Sequence, residues 1–255
     1  MTESVCGLVP VYDNPITLPN VVATLRETVG HVIIIDDGSN KETRQLVDSL
    51  SSKDAAHIHV QHLAHNSGKG AAVKIGLQKA LHLGFSHALQ VDADGQHDLS
   101  DIPNFLASMR NRPNALILGS PVFGHDAPVI RRYGRKMTTL MAALEAGTRL
   151  LPDTMCGFRI YPVSATVAIG TFCSRMCFDP EIVIRSHWAG IPIERVTTQV
   201  RYLPQEEGGV SHFRLLHDNL LHTGLHVCLL LQAPFRWIMR YFKVRRNDQL
   251  DQNSR

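Results

Sequence analysis

The first half of the chain alternates short apolar runs with segments of helical periodicity. Runs at 5–9, 32–35, 58–62, 88–91 and 115–118 predict five strands, and 16–29, 43–50, 71–83 and 102–109 predict the helices between them. Alternation at this spacing predicts an α/β fold on a mostly parallel, Rossmann-like central sheet with helices on both faces. The second half is less regular. Met137, Leu140, Met141, Leu144 and Leu151 predict an amphipathic helix over 137–151, while 158–161 and 193–202 read as strands of a mixed extension. A helical pattern returns over 213–242.

In such sheets the ligand sits beyond the carboxyl ends of the strands. Strand one runs into Pro10-Val11-Tyr12-Asp13-Asn14, strand two into Asp36-Asp37-Gly38-Ser39, and strand four into Asp92-Ala93-Asp94-Gly95-Gln96. Three polar clusters on one sheet edge predict a site. Asp92, Asp94 and Gln96 offer oxygen ligands at alternate positions, a set that suits Mg²⁺ or Mn²⁺. The rival is a solvated acidic turn that caps the next helix. An EF-hand fails, because its glycine position holds His97 and its closing Glu position holds Pro103. Asp36 and Asp37 fit either a base- or ribose-binding tip or an N-cap. Asn66-Ser67-Gly68-Lys69-Gly70 opens a helix and suits an anion. It is not a Walker loop, since Gly70 follows the lysine, and no glycine-rich dinucleotide fingerprint follows strand one.

Composition narrows the classes. With 44% apolar and 19% charged residues the chain is an ordinary packed globule, and a net charge of +3 is too small to predict a nucleic-acid partner. Cys6, Cys156, Cys173, Cys177 and Cys228 show no paired spacing, which predicts reduced thiols and no zinc site. His57, His59, His62 and His65 have no acidic or cysteine neighbour in the sequence pattern and fit a half-exposed edge strand better than a metal cluster. No N-terminal signal sequence is expected, and no run approaches the roughly 18 apolar residues needed to cross a bilayer. Phe235, Ile238, Met239 and Phe242 fall on one helical face, with Arg236, Arg240 and Lys243 on the other and Arg245 and Arg246 beyond. This face suits either an anionic lipid interface or the protein's own core.

Taken in order, Pro10 and Tyr12, Asp36-Asp37-Gly38-Ser39, Asn66-Ser67-Gly68-Lys69-Gly70 and Asp92-Ala93-Asp94-Gly95-Gln96 resemble the family 2 glycosyltransferases of GT-A fold, over about residues 4–212. Asp153-Thr154-Met155-Cys156-Gly157-Phe158-Arg159, Phe178-Asp179-Pro180-Glu181 and Gly190-Ile191-Pro192-Ile193-Glu194 resemble the polyprenyl- and dolichyl-phosphate sugar transferases within it. The resemblance implies that Asp94 and Gln96, with Asp92 close by, hold Mg²⁺ or Mn²⁺. It implies that Pro10, Tyr12, Asn14, Asp36, Asp37, Gly38, Lys69 and Asp92 bind a nucleotide-sugar donor. Asp153, Arg159, Glu181, Arg131 and Arg201 form the implied catalytic set, with Arg135 and Ser211-His212 near phosphates. Three departures stand out: Tyr12-Asp13-Asn14 for Tyr-Asn-Glu, Gly119-Ser120-Pro121 for Gly-Ser-Arg, and Gly209-Val210-Ser211-His212 for Gly-x-Ser-Lys.

The family likeness implies inverting transfer of a sugar to a polyprenyl phosphate or other lipid at the inner face of the cytoplasmic membrane. A phosphate acceptor is already anionic and needs cations rather than a base. A hydroxyl acceptor on a glycan or metabolite would need Asp153 as general base. A nucleotidyltransferase would need a Gly-rich N-terminal loop, and a non-catalytic nucleotide-sugar binder would not need its carboxylates intact. The expected organisation is a GT-A domain over 1–212, C-terminal amphipathic helices over 213–246 and a flexible tail over 247–255.

Overall fold

The computed structural model describes residues 4–123, 129–148, 151–201 and 215–252, with side chains over 4–122, 137–148, 151–201 and 218–239. Seven strands are described: β1 (Val5–Val11), β2 (Val32–Asp36), β3 (Ile58–His62), β4 (His87–Gln90), β5 (Leu116–Phe123), β6 (Arg159–Pro162) and β7 (Ile193–Val200). They form one sheet in the order β3-β2-β1-β4-β6-β5-β7. Every pairing is parallel except those of β6, which runs antiparallel between β4 and β5. The helices are α1 (Leu18–Val29), α2 (Lys41–Lys53), α3 (Lys69–His82), α4 (Ile102–Asn111), α5 (Val129–Ala146), α6 (Val163–Val167), α7 (Phe178–Ala189) and α8 (Leu215–Gln252).

Side chains alternate between the faces of a strand, and two cores follow from this. Cys6, Leu8, Ile33, Ile35 and Ala88 face α3, α5, α7 and α8. Val9, Val11, Val32, Ile34 and Leu89 face α1, α2 and α4. β1, and β2 up to its terminal Asp36, are therefore apolar, as parallel strands covered on both sides must be. Close helix–sheet packing fixes Gly76 of α3, where a Cβ would stand 2.2 Å from Leu8 Cδ1.

Several boundaries differ from the sequence expectation. The helix expected over 137–151 spans Val129–Ala146 and stops at Gly147, whose φ of +70° ends the spiral. Leu151, assigned to its apolar face, lies beyond it and is buried. β5 extends to Phe123 because β7 pairs along its full length. The C-terminal segment is one helix, α8, and it runs through most of the stretch expected to be a tail. Leu225, Leu229 and Ala233, four apart, bury against α5 and α7. Trp188 and Trp237 both donate indole N–H bonds to the Glu145 carbonyl, at 3.1 and 2.9 Å. The opposite side of α8 presents Leu220, Val227, Leu231, Phe235 and Ile238 to solvent. Among the described residues no helix is long and apolar enough to cross a membrane.

β3 is an edge strand, as its histidines suggested, but acidic groups do accompany them, which corrects the expectation. His57 Nδ1 lies 2.6 Å from Asp54, and His62 lies 2.7 Å from Asp36 and 2.9 Å from Asp48. Asp36 and Asp48 come from the neighbouring strand and helix, beyond the reach of local spacing, whereas Asp54 lies only three residues before His57.

Candidate active site

The loops after β1, β2, β3 and β4 gather at one sheet edge, and the antiparallel β6 brings the segment before Arg159 to the same edge. At the centre is the turn after β4. Asp92 Oδ2 accepts from Lys69 Nζ at 2.8 Å and Oδ1 from Gln90 Nε2 at 3.1 Å, while Gln90 Oε1 accepts from the Tyr161 hydroxyl at 2.8 Å. The carboxylate is thus oriented from below by a buried Tyr161–Gln90 relay. Gly157 makes room for it: a Cβ there would fall 2.0 Å from Asp92 Oδ2.

Lys69, the first residue of α3, is shared. Its ammonium lies 3.0 Å from Asp179 Oδ2 as well, and Asp179 Oδ1 lies 3.3 Å from Arg159 Nη2. Burial alone would lower the Lys69 pKa, but Asp179 and Asp92 hold it above its ordinary value. Burial would raise Asp92, yet Lys69 and then His97 hold it well below the usual carboxylate range. Arg159 is fully buried, with its guanidinium on the carbonyls of Cys156, Thr154 and Asp179. It is a structural cation that shapes the site from behind.

Asp94 is different. Its Oδ1 accepts from the Gln96 N–H at 3.1 Å, and no cationic side chain forms an ion pair with it among the described residues. Burial and then the negative charge of Asp92 push its carboxyl up. A carboxylate held near a second one without a cation of its own fits a divalent ion. Asp94 and the Gln96 side chain are the oxygen ligands to offer, with Asp92 already engaged by Lys69 and Gln90.

The other predicted site residues separate into those at the edge and those committed elsewhere. Asn14 is 7% exposed, and its Nδ2 has no hydrogen-bond partner among the described residues, as a donor awaiting a ligand would be. Pro10 lies within β1, paired with Ile35, and half-buried Tyr12 follows the strand. Asp36 and Asp37 both anchor loops at this edge. Asp36 accepts from Ser39 N–H at 2.9 Å and contacts His62; Asp37 accepts from Ser67 and Gly68 N–H at 2.7 and 2.8 Å. Burial raises the Asp37 pKa, and those two N–H bonds oppose the rise. The helix cap that they might have supplied comes from Asn40. Gly38 is required at its φ of +73°, where a Cβ would stand 2.5 Å from the His65 carbonyl carbon.

Glu181 is turned away from this edge. It is fully buried and accepts from the backbone of Phe172 and Cys173 and from Arg185 Nε at 2.6 Å, leaving no face for a substrate. Asp179, two residues earlier, is the member of that motif that faces the site. Two residues on a helix differ by about 200°, so only one could, and the sequence did not say which. Gln90 carried a usable signal, a polar residue in an apolar parallel strand. Asp153 Oδ1 accepts from Met155 N–H at 2.7 Å in the turn before Cys156. Arg201 is exposed and its N–H donates to the Gln96 carbonyl at 3.0 Å, which places it beside the metal turn. The side chains of Arg131 and Arg135, and Ser211-His212, lie outside the described residues.

The chain was compared with known proteins. The model for glycosyl transferase family 2 matches residues 7–174. A dolichyl-phosphate beta-glucosyltransferase of Trichomonas vaginalis is 26% identical over 216 residues, 75% of this chain and 64% of that protein. An undecaprenyl-phosphate mannosyltransferase of Micrococcus luteus is 28% identical over 170 residues, 65% of this chain and 69% of that one. The chain thus spans less than two thirds of the first of these relatives. The glucosyl-3-phosphoglycerate synthase of Mycobacterium tuberculosis, solved with Mn²⁺, UDP and phosphoglyceric acid, superposes with a TM-score of 0.66 at 14% identity, over 91% of this chain and 78% of that one. That likeness establishes the fold.

Proposed function

The chain belongs to glycosyl transferase family 2, and on that premise we propose that it transfers a sugar from a nucleoside-diphosphate donor to a polyprenyl phosphate, with inversion. The observation that carries this reading is the contrast at one turn: Asp92 tied to Lys69, and Asp94 beside it with a raised pKa and no ion-pair partner among the described residues. Such a pair suits Mg²⁺ or Mn²⁺ held by Asp94 and Gln96. When bound, the ion would neutralise the diphosphate as it leaves. Tyr12 and Asn14 bind the donor, and Arg201 faces phosphate oxygens from β7. Asp92, Lys69, Asp179 and Arg159 act as a rigid charged floor that keeps Asp94 in place. Inversion follows from attack on the side opposite the leaving group, through an oxocarbenium-like state. A phosphate oxygen attacks without losing a proton, so no general base is needed.

The relatives named for dolichyl and undecaprenyl phosphate support the acceptor, and the exposed apolar side of α8 supports work at a membrane surface. One face of α8 docks on α5 and α7 and the other would meet lipid, so the two expectations for this helix are compatible. The catalytic unit is then residues 1–212, and α8 is the lipid-facing addition at the cytoplasmic side.

The test is nucleotide release from UDP-, GDP- and TDP-sugars, with Mn²⁺ or Mg²⁺, with and without polyprenyl phosphate in vesicles. Release that needs both metal and lipid phosphate is expected. Release that ignores the lipid would instead assign a hydroxyl acceptor and make Asp153 the base. Donor binding without release would leave a nucleotide-sugar binder, and neither release nor donor binding would end the transferase reading.

A further inference from the structure

Beside the site lies a pair of thiols that sugar transfer does not use. Cys173 and Cys177 bracket the segment that leads into α7. Cys177 immediately precedes the first turn of this 12-residue helix, where the helix dipole favours a thiolate. The Cys173 N–H donates to Glu181 Oε2 at 2.8 Å, and the Glu181 N–H donates to the Cys177 carbonyl at 3.3 Å. These bonds fold the segment back on itself, and both cysteines pack on one apolar cluster. Cys173 is half-buried and Cys177 buried, both as free thiols. The neighbouring Cys173 thiol draws Cys177 below the ordinary thiol pKa against the effect of burial, and Cys177 in turn raises Cys173.

The residues between them clamp the loop that carries Lys69. The Ser174 carbonyl accepts from Ala71 N–H at 2.8 Å, and Arg175 Nη1 donates to Asn66 Oδ1 at 3.4 Å. The fit is tight, since a Cβ on Gly68 would stand 2.5 Å from the Ser174 oxygen and one on Gly70 2.4 Å from Phe178 Cβ. Any change in the path of 173–177 is therefore transmitted to the Asn66–Gly70 loop.

We propose that Cys173 and Cys177 form a peroxide-sensitive dithiol whose closure to a disulfide loosens the clamp on the Lys69 loop. The Cys177 thiolate attacks a peroxide oxygen, the O–O bond breaks, and hydroxide leaves as water after taking a proton. The Cys173 sulfur then displaces the sulfenic hydroxyl, which departs as a second water with the Cys173 proton. Two thiols and one hydrogen peroxide give one disulfide and two waters, and a dithiol reductant reverses the change.

The full chain is treated with hydrogen peroxide, alkylated and digested with trypsin. Cleavage after Arg175 separates the two cysteines, so a disulfide alone holds the two peptides together. The joined pair is expected after peroxide, lost on dithiothreitol treatment, and absent from Cys173→Ser. No joined pair, a bridge to Cys6, Cys156 or Cys228, or sulfinic acid at Cys177 without a bridge would overturn the proposal. Hydrogen–deuterium exchange of the bridged chain reads the clamp: several-fold faster exchange at Ala71 is expected, and unchanged exchange would overturn the loosening. Neither readout depends on sugar transfer, so the dithiol and the proposed activity stand or fall separately.

Discussion

Two acidic turns occupy the same sheet edge with nearly the same sequence logic, and the fold gives them opposite work. After β2, Asp36 and Asp37 spend their oxygens on backbone N–H groups and on His62. After β4, Asp92 is paired to a lysine, and Asp94 accepts from the Gln96 N–H without an ion-pair partner among the described residues. A carboxylate that accepts from loop amides is a fastener that happens to be charged. One left with a raised pKa and no cation keeps its affinity for something else. The neighbours decide this, not the residue type.

The contrast breaks first at Asp94. Asp94→Ala should remove metal-stimulated nucleotide release, by on the order of a hundred- to thousandfold, with an unchanged melting temperature. Full turnover in that variant would end the metal assignment. Next in size is Lys69→Met, which leaves Asp92 and Asp179 facing each other without their shared cation. A loss of about 3–5 kcal/mol is expected for breaking a buried ion pair, read by urea denaturation. A melt like the wild type's would show that the triad is not formed in solution. Asp37→Ala should be a stability variant, losing about 1–3 kcal/mol because two buried N–H groups lose their acceptor. If its melt stays put while donor binding disappears, Asp37 belongs to the ligand after all.

The smallest effect is in the pH dependence, and its sign differs between the turns. Asp92 is held below its ordinary value of 3.8, so its contribution is present above that pH and is lost only as pH falls through the lower folded-state value. Asp37 is raised, so the benefit of protonating it in the fold is complete below 3.8 and lost as pH rises through its folded-state value. In urea melts between pH 7 and 4, the gap between wild type and Asp92→Asn should stay flat. The gap between wild type and Asp37→Asn should drift. Two flat lines would mean that Asp37 is ionised with ease, against the cost of its burial.

Much of this was legible in the chain. The first four strands and the gathering of Asn14, Lys69, Asp92 and Asp94 at one edge follow from periodicity and from the rule that ligands sit at strand tips. Local pattern could not supply the direction of β6, because a four-residue strand reads the same both ways. Nor could it pair Lys69 with Asp179, 110 residues distant, or prefer Asp179 over Glu181 on α7. His62 of β3 failed for the same reason: its acidic partners, Asp36 and Asp48, arrive from other elements. Spacing reports the backbone's habits, whereas salt bridges depend on which elements become neighbours.

The strand order also has a history built into it. β3, β2, β1 and β4 can pair as soon as the first 90 residues leave the ribosome, but β4 keeps one bare edge until residues 159–162 arrive. Through some seventy residues of synthesis the nascent half-sheet offers that edge to any extended segment nearby. Insertion of β6 closes the gap and in the same movement carries Arg159 and Tyr161 beneath Asp92, so the growing chain protects its sheet and completes its charged floor at one moment.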